Sequence, residues 1–121
     1  MSNPAKILWN LKTAPGLSQT LTASGNSGLI TLIDVTDVWL GVYVTGTATG
    51  TLPTLDVQLD FAAPDGNIFP QAAKITQLTS SPNYTSVSAG LHVAGGLVLP
   101  QFGRITWTVG GTGSPTWPGV S

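Results

Sequence analysis

Thr54-Leu55-Asp56-Val57-Gln58-Leu59-Asp60-Phe61 alternates without a break. Leu55, Val57, Leu59 and Phe61 fall on one side of an extended chain, and Asp56, Gln58 and Asp60 fall on the other. That period predicts an antiparallel strand with one buried and one wet face. Ala62-Ala63-Pro64-Asp65-Gly66-Asn67 then predicts a tight turn, with Pro fixing φ and Gly taking the strained position.

The same reading extends in both directions. Over residues 38–45, Val38, Leu40, Val42 and Val44 share one face, and Trp39, Gly41, Tyr43 and Thr45 share the other. Apolar groups on both faces suit a central strand, or a strand whose outer face meets a neighbouring subunit. Over residues 104–109, Ile105, Trp107 and Val109 point inward, with Arg104, Thr106 and Thr108 outward. Residues 17–22 and 28–34 flank Ala23-Ser24-Gly25-Asn26-Ser27 and predict a hairpin. Residues 68–69 and 74–78 are shorter strand candidates separated by Pro70, while 46–53, 80–88 and 110–119 read as loops. Repeated short strands without a convincing helix predict an all-β fold, a single antiparallel β-sandwich of jelly-roll or immunoglobulin-like type. The sandwich occupies residues 17–121. Residues 1–16 carry Ile7, Leu8, Trp9 and Leu11 before Ala14-Pro15-Gly16 and form an extended N-terminal arm or edge strand.

Composition narrows the function. A length of 121 residues makes one domain. Only 7% of the residues are charged, against about a quarter in an ordinary soluble domain, so much of the surface is expected to be covered by something else. A net charge of -1 with scattered Lys6, Lys12, Lys74 and Arg104 offers no footprint for nucleic acid. Cysteine is absent, which excludes disulfides and thiolate metal sites. The start of the chain lacks a secretory pattern, and no apolar run is long enough for a membrane-spanning helix.

The inventory for catalysis is small: one His, five acidic residues that are all Asp, and two Tyr. His92 has no acid near it in sequence and reads as structural or solvent-facing. Asp56 and Asp60 stand about 13 Å apart along a strand, too far for a glycosidase carboxylate pair. Asp34 and Asp37 read as turn caps, with Ca²⁺ binding as the rarer alternative. The match of Asn83-Tyr84-Thr85 to a glycosylation sequon is read as accidental, and the Gly-rich stretches as loops rather than phosphate cradles. No enzyme activity, cofactor or metal is therefore expected.

Val44-Thr45-Gly46, the run from Leu52 to Leu59, Pro64-Asp65-Gly66 and the run from Arg104 to Gly111 resemble small virion proteins of tailed bacteriophages, the β-sandwich decoration or minor capsid subunits. The similarity covers roughly residues 38–118 and rests on strand-and-turn motifs that unrelated sandwiches share. It implies a non-enzymatic decoration or cement protein on the outer capsid surface of the virion. Such subunits bind the major capsid protein, bridge capsomers and often form homotrimers, with no nucleic acid or membrane partner. Trp9, Trp39, Tyr43 and Trp117 are the candidate contact residues, with burial in the subunit's own core as the competing placement. A carbohydrate-binding or host-recognition module of a tail fibre is the alternative, and a tail-tube or connector component a third reading.

Overall fold

A computed structural model of the chain describes Leu11, residues 19–90, His92 and residues 98–121. These contain β1 (Gln19–Leu21), β2 (Gly25–Asn26), β3 (Ile30–Thr31), β4 (Asp37–Val44), β5 (Thr49–Ala62), β6 (Ile68–Lys74), β7 (Asn83–Gly90) and β8 (Phe102–Val120), with no helix among them. Every pairing is antiparallel. The strand order is β6-β5-β8-β4-β7, and β1, β2 and β3 each join β8. The sheet curls strongly into a half-barrel. The antiparallel all-β class expected from alternation holds. Trp9 and the rest of the expected arm, apart from Leu11, lie outside the described residues.

The deciding strand sits at the centre. Leu55, Val57 and Leu59 of β5 are buried, and their cross-strand partners on β8 are Val109, Trp107 and Ile105, packed on the same core. Val42 and Val44 of β4 and Trp117 and Val120 of β8 close the main cluster. Each such buried side chain contributes about 1.5–3 kcal/mol of transfer free energy.

The opposite face of β5 is less wet than its pattern predicts. Asp60 is only 1% exposed. Its Oδ1 accepts from Gln58 Nε2 at 2.7 Å, and its Oδ2 accepts from Thr106 Oγ1 at 2.6 Å and Arg104 Nη2 at 3.2 Å. Charge-assisted bonds of this kind let a carboxylate tolerate burial.

Three local expectations are corrected. The described part of 17–22, from Gln19 on, does not form the expected hairpin with 28–34, because β1, β2 and β3 step along the long edge of β8. Serine hydroxyls fill the gaps: Ser24 Oγ accepts from Val109 N–H at 3.0 Å and Ser27 Oγ from Ile105 N–H at 2.9 Å. Residues 46–53 and 110–119 are not loops throughout, since β5 starts at Thr49 and β8 continues to Val120. Thr51 pairs with Thr112 and Thr54 with Gly110 across a register shift, and Gly50, Leu52, Gly111, Gly113 and Ser114 have positive φ. The Gly-rich stretches thus form a bulged ribbon. The expected loop at 80–88 is largely strand β7; the candidate at 68–69 extends through Pro70 to Lys74 as β6, which tolerates proline as the outermost strand of the order, whereas of the candidate at 74–78 only Lys74 lies in that strand and Leu78 makes an isolated bridge to Leu55.

Candidate interaction surface

The outer face of β4 and β7 carries two parallel rows. Asp37, Trp39, Gly41 and Tyr43 lie on β4, opposite Gly90, Ser88, Ser86 and Tyr84 on β7. Trp39 is 71% exposed, Tyr43 52% and Tyr84 72%, while the alternate residues Val42 and Val44 are buried. The Trp39 indole lies over Gly41, where any Cβ would run into the ring, so glycine lets the ring lie flat against the strand. Tyr43 and Tyr84 stack with centroids 5.9 Å apart and planes 19° apart.

Backbone geometry explains that stack. Tyr43 N–H donates to Ser121 O and Ser121 N–H donates to Tyr43 O, both at 2.9 Å, so the polar backbone groups of Tyr43 face β8 rather than β7. Tyr43 and Tyr84 are therefore a non-hydrogen-bonded pair, the kind that brings opposed side chains closest. By the same alternation Gly41–Ser86 and Trp39–Ser88 are non-hydrogen-bonded pairs. Hence the backbone groups of Tyr84, Ser86 and Ser88 point away from β4, to the outer edge of the sheet. Asn83 Oδ1 accepts from Tyr84 N–H at 2.8 Å. Among the described residues β7 pairs with no strand but β4.

A clasp closes the Asp37 end of this face. Asp37 Oδ1 accepts from His92 N–H at 2.8 Å, and Oδ2 lies 2.7 Å from His92 Nδ1. Sequence reading left His92 without an acid because its partner lies 55 positions away. The side-chain and backbone hydrogen bonds from His92 hold the Asp37 carboxyl below its ordinary pKa, against an opposing contribution from burial and with a smaller push from Thr36. The Thr36 hydroxyl donates to the carboxylate at 2.9 Å and not to the imidazole. The trio ties a loop to a strand and activates no nucleophile.

Other charged side chains among the described residues pair with each other. Asp56 pairs with Lys74 at 3.3 Å and accepts from Gln77 Nε2 at 2.8 Å. Asp34 sits in a turn with φ 64°, and the described residues contain no cluster of three His, Asp or other metal-ligating groups. Of the candidate contact residues, Trp39 and Tyr43 stand together on the exposed face. Trp117 takes the competing placement in the core: it is 0% exposed, because β8 continues through its segment and turns the indole into the main cluster. Tyr84 was missed because Ser80 to Ser88 reads as a polar loop; its alternation of Thr85, Val87 and Ala89 against Tyr84, Ser86 and Ser88 was the available signal. An apolar depression at the β5–β6 turn is lined by Phe61, Phe69 and Val98. No protein-family profile, curated protein or solved structure matches this chain.

Proposed function

We propose that this chain is a non-enzymatic structural subunit of a virion, a decoration or cement protein that binds the major capsid protein on the outer shell. The curled sheet serves as the sandwich-type module that the resemblance implies, and its arm and three-fold clustering belong to the same reading. The observation that carries it is the row of Trp39, Tyr43 and Tyr84, an uncharged aromatic strip exposed on a chain with few charges. Aromatic residues dominate the fully desolvated centres of protein interfaces. A curled sheet with its core inside presents this strip on its convex side, which suits a broad protein surface better than a cleft.

The test is mass spectrometry of purified particles from the source, combined with rebinding of Trp39→Ala protein to stripped particles. Hundreds of copies per particle and at least tenfold weaker rebinding by the variant are expected. Absence from the particle overturns the reading. The flat Trp39 ring beside the Ser86 and Ser88 hydroxyls favours a second reading, a glycan-stacking platform on a tail fibre. A handful of copies per particle, with Trp39-dependent binding to host-surface polysaccharide, decides for it.

A further inference from the structure

The outer edge of β7 is built unlike the other end of the sheet. β6 carries Pro70 and Lys74, both of which blunt strand-to-strand pairing. β7 reads Asn-Tyr-Thr-Ser-Val-Ser-Ala-Gly, with no charge and no proline over its whole length. Its outward-pointing backbone groups at Ser86 and Ser88 have no partner among the described residues, and only the Tyr84 N–H is capped, by Asn83. Such an edge is a template for another strand.

We infer that β7 pairs antiparallel with β7 of a second copy of this chain, about a two-fold axis passing beside Ser86. The register follows from the side chains. With Ser86 opposite Ser86 of the second copy, Tyr84 of each copy falls opposite Ser88 of the other. The small serine leaves room on the outer face. There the incoming Tyr84 ring stands two strand spacings, about 10 Å, from the backbone of Trp39, a gap that the two large side chains fill. Each cross-strand row then reads Trp39, Ser88, Tyr84 and Tyr43, with the last two from the second copy, and the aromatic strip runs unbroken across both subunits. Ser86 exchanges both its backbone bonds across the axis, and Ser88 N–H reaches the Tyr84 carbonyl. No like charges meet, because β7 has none. The contact is isologous and two-fold. It goes beyond the shell reading, does not depend on it, and uses a symmetry different from three-fold clustering.

Sedimentation of the isolated protein over a concentration series tests it. A monomer–dimer equilibrium is expected. Ser86→Pro removes an N–H that β4 does not use, so it should weaken dimerisation at least tenfold with little change in melting temperature. Should that variant fail to fold, Ser86→Lys and Ser86→Asp serve instead. Each alone puts like charges together at the axis and should be monomeric, whereas their mixture should form a heterodimer. A wild-type protein that stays monomeric, a trimer, or a dimer indifferent to the Ser86 charge swap overturns the inference. None of these results bears on the copy number in particles, so the two readings fail separately.

Discussion

Asp37 shows how a single side chain joins segments that the sequence keeps apart. Both its oxygens are engaged by His92, one through the backbone N–H and one through the ring. These bonds favour the ionised carboxylate, so its folded-state pKa lies below the ordinary 3.8. A depressed carboxyl pKa contributes stability that is present above the unfolded value and is lost as pH falls through the folded one. The pair therefore holds at neutral pH and opens only as pH falls below the ordinary carboxylate range. NMR should show the Asp37 carboxyl carbon titrating below 3.8, with the His92 amide shifting in step. Asp37→Asn should abolish that acid-range amide shift. A midpoint at or above the ordinary value would mean that the clasp does not form in solution. Sequence alone could not have supplied the pair, because nothing local marks two residues so far apart as neighbours.

At the scale of elements, legibility tracked the contrast between the two faces of a strand. β5 was readable because leucine and valine alternate with aspartate and glutamine, and β4 because a valine and leucine face stands out beside Trp39 and Tyr43. β7 reads as loop because its inward face offers only Thr85, Val87 and Ala89, too weak an apolar row to outweigh its serines. The hairpin misreading has another origin. Ser24 and Ser27 carry hydrogen bonds to β8 that a regular strand would make with its backbone, so turn-forming residues lie beside a ladder. The ribbon between Thr49 and Thr116 reads as loop because its glycines punctuate it, yet they are what let the strands continue through bulges. Gly111 is the sharpest case. It has φ 110°, and a Cβ there would stand 2.8 Å from the Leu52 carbonyl oxygen and 2.9 Å from that of Thr51. Gly111→Ala combines a disfavoured dihedral with backbone contact that cannot yield cheaply. A loss of about 2 kcal/mol is expected by urea denaturation. An unchanged midpoint would show that the ribbon is free to rearrange.

For the whole molecule, β8 is the strand on which the fold depends. It pairs with β1, β2, β3, β4 and β5, and in the hydrogen-bonded order it joins the β5–β6 side of the sheet to the β4–β7 side. Trp117 stands where β8 faces β1, opposite Leu21, and packs into the same cluster as Val44 and Leu55. Removing its ring leaves a cavity in that buried cluster. Trp117→Ala should therefore cost about 3–5 kcal/mol, a large part of the roughly 5–15 kcal/mol that holds a domain of this size. Unfolding should remain one cooperative transition by fluorescence and circular dichroism alike, since no half of the sheet keeps a core without β8. Trp39→Ala is the matching control at the surface. Its indole is exposed over Gly41, so truncation should move stability by no more than about 0.5 kcal/mol at concentrations where the protein is monomeric. Two tryptophans that composition treats alike are thus separated by what each exchanges with water. Equal losses at the two sites would mean that the β4–β7 face is covered within the single chain, and the case for a partner on it would fall.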